Sequence, residues 1–314
     1  MIVALGGGVG GARMAVGLAQ VLPPRRLTIV VNTGDDFEHL GLRISPDLDS
    51  VLYTLAALNN PRTGWGRADE TWSFMETLRS LGGEGWFRLG DRDVALHVQR
   101  TVQLRRGVPL TEVTAQLASR LGVRHSIVPM SDMSVRTKVR TARSELDFQE
   151  YFVKRGCRPR VRGFRFAGAA GARVPPALRR VLRSPVRAAV IAPSNPYVSI
   201  APIFALREIR DWIGSRRFPV VAVSPIVGGA AVKGPAAKMM REMGCEASAL
   251  GLARHYGGRV DGWVIDRKDA RLARSIMLEG KAVLVTDTIM DSREKSAALA
   301  RKVVTFAESL ARAR

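Results

Sequence analysis

A short apolar run, Ile2-Val3-Ala4-Leu5, runs into the glycine-rich stretch Gly6-Gly7-Gly8-Val9-Gly10-Gly11. Ala12-Arg13-Met14-Ala15-Val16-Gly17-Leu18 follows, with apolar residues at helical spacing. Strand, glycine turn, helix is an order that few folds accept, and it reads as the first unit of a nucleotide-binding α/β sheet. Without side chains, the backbone can turn sharply and approach a ligand closely. Amides that open the helix then attract anionic oxygens, helped by the helix dipole. Gly6, Gly8 and Gly11 satisfy G-x-G-x-x-G, but that spacing does not choose among a dinucleotide, a mononucleotide and a sugar nucleotide.

The 314 residues, 46% of them hydrophobic, suffice for one large α/β domain or two modest ones. No apolar run approaches the roughly 20 residues of a membrane span, and no basic–apolar–small leader precedes the first strand. The expectation is therefore a cytoplasmic protein with no membrane partner. Cys157 and Cys245 are the only cysteines, and the four histidines lack metal-ligand spacing. The net charge of +21 is spread along the chain and comes mostly from arginine. With no basic tail and no nucleic-acid motif, it reads as a solvated basic surface around an anion-binding cleft, with no nucleic-acid partner.

Arg26–Val31 is the second strand and ends at Asn32-Thr33-Gly34-Asp35-Asp36. One acid here would suit a ribose. Two, with Asp47 and Asp49 following, are more carboxylate than a ribose needs, and they suit a hard cation such as Mg²⁺ shared with substrate phosphates. In Ser45-Pro46-Asp47, helix capping explains all three residue types. Trp65 and Trp72 are either plain core or a wall for a flat aromatic substrate.

From about Ser126 the pattern turns to β. Val135–Thr141 alternates apolar with basic residues, Phe148–Val153 reads as another strand, and a short helix is expected near Pro176–Leu182. Ala188–Ala192 is a buried parallel strand ending in Pro193-Ser194-Asn195-Pro196, before a helix over Ile203–Trp212. Pro219–Val223 repeats the unit, with the turn Ser224 to Pro235 carrying Gly228, Gly229 and Lys233. The expected fold is α/β: a Rossmann-like parallel sheet flanked by helices, formed by residues 1–125 and 186–314. A smaller α+β subdomain, residues 126–185, is inserted and covers the ligand edge of the sheet.

Several stretches, in order, resemble the 2-phospho-L-lactate transferase family of coenzyme F420 biosynthesis. They are Leu5 to Arg13, Asn32 to Asp36, Gly41 to Asp49, Gly64 to Arg67, Asp69 to Trp72, Leu89 to Asp93, Ala192 to Pro196 and Ser224 to Gly229. The resemblance implies a homodimeric, Mg²⁺-dependent transferase. Its acceptor is 7,8-didemethyl-8-hydroxy-5-deazariboflavin (Fo), and its donor is a guanosine diphosphate ester of lactate or enolpyruvate. The ribityl hydroxyl of Fo attacks the distal phosphorus and GMP leaves. On that reading, Gly7, Gly8, Gly10, Gly11, Arg13, Ser194, Asn195, Ser199, Gly228, Gly229 and Lys233 bind the nucleotide and its phosphates. Asn32, Thr33, Trp65, Trp72 and Arg92 face the deazaflavin. Asp35 and Asp36 hold the metal, and Asp35, Asp36 or Asp49 accepts the ribityl proton. The competing reading is a non-catalytic regulator that binds NAD or a UDP-sugar through the same glycine loop. A dehydrogenase fits less well, because no catalytic His or Tyr–Lys arrangement stands out.

Overall fold

The computed structural model describes residues 1–313. The four apolar runs named above become strands buried on both faces, β1 (Ile2–Gly6), β2 (Leu27–Val31), β7 (Ala188–Ile191) and β8 (Val220–Val223), and so does β9 (Gly262–Asp266). With β3 (Ser126–Pro129) and β10 (Ala282–Thr286) they form one seven-stranded parallel sheet, ordered β10-β9-β8-β7-β1-β2-β3. Side chains alternate across the sheet. Val3 and Leu5 enter one hydrophobic core, while Ile2 and Ala4 enter the other. Such two-sided burial is what helices on both faces of a parallel sheet require.

Helix α1 (Gly8–Val21) packs between α2 (Pro46–Leu55) and the C-terminal α5 (Arg293–Arg312). Gly17 permits this approach, since a Cβ there would overlap the backbone of Ser296. Helix α3 (Asp91–Arg105) supports α2 from behind, and α4 (Ala273–Leu278) lies against β10.

A separate antiparallel sheet, β5-β4-β6, is built from β4 (Arg136–Thr141), β5 (Glu145–Asp147) and β6 (Val161–Ala167). The insertion boundary expected at 126 lies too early, because Ser126–Pro129 pairs with β2 in the main sheet. The strand expected over Phe148–Val153 is instead helical, with a π-helical turn at Glu150–Lys154. Phe148 and Tyr151, three residues apart, are buried together. Phe148 also stacks on Phe152, four residues on, with ring centroids 5.3 Å apart. These are helical spacings, not strand spacings. The helix expected over Ile203–Trp212 is broken at Leu206, whose extended backbone separates Ala201–Ala205 from Arg207–Gly214.

Candidate active site

The strand order reverses at β1, which lies between β7 and β2, and a cleft of about 700 Å³ opens beyond the strand ends there. Open α/β sheets bind ligands at such a switch point. The glycine loop forms one wall. Ser194 Oγ accepts the Gly7 N–H (3.2 Å) and donates to the Gly7 carbonyl (2.8 Å), tying the loop to the turn after β7. Gly10 sits against the Pro193 carbonyl, where a Cβ would overlap it. Gly8 has φ +63°, and its N–H donates to Asp47 Oδ1 at 2.7 Å. Two amides of the expected phosphate bed are thus engaged by Ser194 and Asp47. Val9 and Gly10, at the opening of α1, line the cleft beside Arg13 and Lys233.

Asp47, which the sequence leaves as a capping residue, is a cleft residue. Its Oδ2 accepts from Asn32 Nδ2 at 2.9 Å. Asn32 is fully buried. It also donates to the Val198 carbonyl and accepts the Gly34 N–H, so it joins the acidic turn, α2 and the turn after β7 without itself lining the cleft. Ser45, at the head of α2, does not cap it: its hydroxyl donates to Asp36 Oδ2 at 2.8 Å.

The acids divide by direction. Asp35 and Asp47 line the cleft. Asp36, with Thr33, lines a separate small cavity beside Arg43 and Arg136. Asp49, on the opposite side of α2 from the cleft, is bonded through both oxygens to the buried Arg100, with His97 at 3.7 Å. Asp36 and Asp49 are therefore displaced from the roles the sequence suggested.

Burial, and then the Asp47 charge, hold the Asp35 carboxyl well above its ordinary range. Burial raises Asp47 to about 6, against the bonds from Asn32 and Gly8. Asp35 Oδ1 is buried and meets no protein donor. Two desolvated carboxylates with one free oxygen suit a small divalent cation, whose remaining ligands come from phosphate and water. Among the described residues, no cluster of three or more His, Cys, Asp or Glu side chains has metal-binding geometry. The protein would therefore supply only this pair.

A second wall is aromatic. Trp86, Phe87 and Arg88 approach from the segment before α3, and Phe148, Phe152 and Val153 from the insertion. The Gln149 amide donates to the Asp35 carbonyl at 3.4 Å, joining that wall to the acidic turn. In the sequence, Trp86 and Phe87 stand only as part of a loop rich in charge and aromatics, and a strand over Phe148–Val153 would set Phe148 and Phe152 apart from any ring stack. Trp65 does line the cleft. Trp72 does not: the Arg88 guanidinium covers its ring at 4.2 Å, and it packs beside Ile44 and Met75. Arg92 is exposed at the start of α3. Gly11 packs against Ser194 Oγ. The Gly228 N–H is engaged by Asp269 and the Gly229 carbonyl accepts from Arg241, and these two glycines do not line the cleft, although Ser224, Pro225 and Lys233 of the same turn do. Asn195 and Ser199 both line it.

These acids make a prediction for stability. Asp36 and Asp93 are raised to about 7 and Asp47 to about 6, from an ordinary 3.8. Between those limits the folded chain holds protons that the unfolded chain has lost. Their contribution to stability is present below the ordinary carboxylate range and is lost as pH rises through 6 to 7. Scanning calorimetry of the metal-free protein should show Tm falling from pH 5 to pH 8, and a divalent cation should restore more of it at pH 8 than at pH 5. A Tm that rises over this range contradicts these assignments.

The sheet order and the cleft at its switch point define a doubly wound α/β protein of the Rossmann type. More narrowly, the chain belongs to the 2-phospho-L-lactate transferase CofD family, whose profile matches residues 2–305. It is 41% identical to a phosphoenolpyruvate transferase of Streptomyces griseus, over 98% of this chain and 99% of that one. It is also 41% identical to a 2-phospho-L-lactate transferase of Methanopyrus kandleri, over 98% and 97%. A solved Bacillus halodurans protein of the UPF0052 family shares the fold, with TM-score 0.62 at 13% identity, covering 96% of this chain and 98% of that one.

Proposed function

We propose that this chain transfers a phosphorylated three-carbon acid from its guanosine diphosphate ester to the terminal ribityl hydroxyl of Fo, releasing GMP. One observation carries the reading. A single cleft joins a glycine-loop wall suited to a diphosphate with an aromatic wall suited to a flat ring, and Asp47 and Asp35 stand where the two meet. The family membership and the two kinds of named relative support it.

Phosphoryl-type transfer depends on positioning and charge neutralisation. The α1 N-terminus, Arg13 and Lys233 bind the diphosphate. Ser194 and Asn195 flank it, and Ser199 and Thr288 extend the wall. Trp86, Phe148 and Phe152 hold the deazaflavin ring, so that its ribityl chain reaches the acids. The hydroxyl oxygen forms a bond to the phosphorus bearing the acid, the bond from that phosphorus to the GMP oxygen breaks, and the hydroxyl proton passes to the Asp35 carboxylate oxygen that the cation leaves free. Asp35 and Asp47 would hold Mg²⁺, which when bound offsets the negative charge of the diphosphate.

The test is to incubate the protein with Fo, Mg²⁺ and, in separate reactions, the guanosine diphosphate esters of lactate, enolpyruvate and glycerate. Mass spectrometry should find equimolar GMP and Fo phosphodiester with at least one donor. No product with any of the three overturns the reading.

A further inference from the structure

Of the three motifs at residues 64–67, 69–72 and 89–93, only Trp65 lines the cleft. The others fasten a loop. Asn60 N–H donates to the Gly66 carbonyl and Ala68 N–H to the Leu58 carbonyl, at 3.0 and 2.8 Å, which closes the loop after α2 on itself. Arg67 lies over the ring of the buried Tyr53 on α2, 5.6 Å from its centroid. Glu70 accepts the Arg92 and Asp93 N–H groups at 2.8 and 3.1 Å, and Asp91 accepts from Thr71, Ser73 and Phe74, so the base of the loop is tied to the first turn of α3. The tip, residues 63–65, reaches over the opening of α1. There Lys233 Nζ donates to the Thr63 carbonyl at 2.6 Å. A Cβ on Gly64 would stand 2.6 Å from that ammonium and 3.2 Å from Val9, and Gly64 has φ +75°. Both the close approach and the left-handed backbone require glycine. Two loops, one after α2 and one after β8, thus meet over the first turn of α1, joined by the Lys233 ammonium. Burial, and then the Arg13 charge, hold its pKa below the ordinary value.

We propose that Lys233 is a latch: a diphosphate bound between it and Arg13 holds the loop tip closed, and the closed loop, through Glu70 and Trp72, sets the aromatic wall, so that the donor tightens binding of the flat acceptor. This rests on the reading of the cleft given above. An ammonium has three donors, so Lys233 can keep the Thr63 carbonyl while it binds a phosphate oxygen. The diphosphate offsets the repulsion between Lys233 and Arg13. It therefore binds the latched form better than a form whose Lys233 has swung into solvent, and that difference is what shifts the population. The path onward is one of direct contacts. Glu70 follows the tip closely in sequence and holds the first turn of α3. Trp86, Phe87 and Arg88 lead into that same turn, and the Arg88 guanidinium rests on Trp72. Lys233 is thus a positioning residue for the acceptor, at the far end of this path from it.

Fo fluorescence titration on the full chain, with Mg²⁺ present throughout and with or without saturating GDP, tests this. GDP should tighten Fo binding by about 5-fold or more, and Fo should tighten GDP binding by the same factor. Gly64→Ala puts a methyl group into the latch, and Glu70→Ala cuts the link to α3 without touching the cleft. Both variants should bind Fo alone as the wild type does, and in both the coupling should fall below about 2-fold. Direct contact between the ligands, or a cation shared by them, also couples them, but that coupling survives both substitutions. Coupling that survives either substitution overturns the proposal, as does a wild type that binds the two ligands independently. Each of those results leaves the functional reading standing. A wild type that binds neither GDP nor Fo overturns both.

Discussion

Asp35→Asn should lower kcat by about 10²–10⁴-fold while leaving the fold intact. The Asp35 carboxyl is buried, is pushed up by desolvation and by Asp47, and keeps an oxygen with no protein donor. Losing its charge relieves that strain, so the variant should be at least as stable as the wild type. Fo fluorescence titration should show binding within a few-fold of the wild type, because the aromatic wall is unchanged. The loss should therefore fall on kcat and on the response to Mg²⁺. Near-normal turnover, or a loss confined to the KM for Fo, would remove Asp35 from the chemistry.

Asp49→Ala should do the reverse. Asp49 holds Arg100, which is 1% exposed, and removing one member of a buried pair leaves an uncompensated charge. The expected cost is about 3–5 kcal/mol in unfolding free energy, read from urea titration. Asp49→Leu with Arg100→Met removes both charges and should recover most of that loss. The folded fraction of either variant should retain measurable transfer, since Asp49 does not line the cleft. A stable but inactive Asp49→Ala protein would return Asp49 to the reaction.

The contrast between Asp47 and Asp49 shows where the sequence is legible. Strand, glycine turn and helix at Ile2–Leu18 are local signals, and so are the apolar runs at Ala188 and Pro219. They predict the sheet and the glycine-loop wall of the cleft. Asp47 and Asp49 lie two residues apart on a helix, nearly on opposite sides. Which one faces the cleft depends on where Arg100 and Asn32 come to lie, and these are distant in sequence. The aromatic wall is a similar case. Trp86 and Phe148 come to line one cleft only through the insertion, and the helical spacing of Phe148, Tyr151 and Phe152 is masked by β-forming residue types. Gly228 and Gly229 resemble a phosphate turn in composition, but Asp269, 41 residues on, engages the Gly228 amide.

The arrangement of the cleft is tested most directly by a crystal structure of the protein with GDP, Mg²⁺ and Fo bound together. The diphosphate is expected against Val9, Gly10 and Arg13, the cation against Asp35 and Asp47, and the deazaflavin ring between Trp86 and the Phe148/Phe152 pair. A diphosphate on the Gly228–Gly229 turn, a cation on Asp36 or Asp49, or a ring against Trp72 and Arg92 would contradict the account.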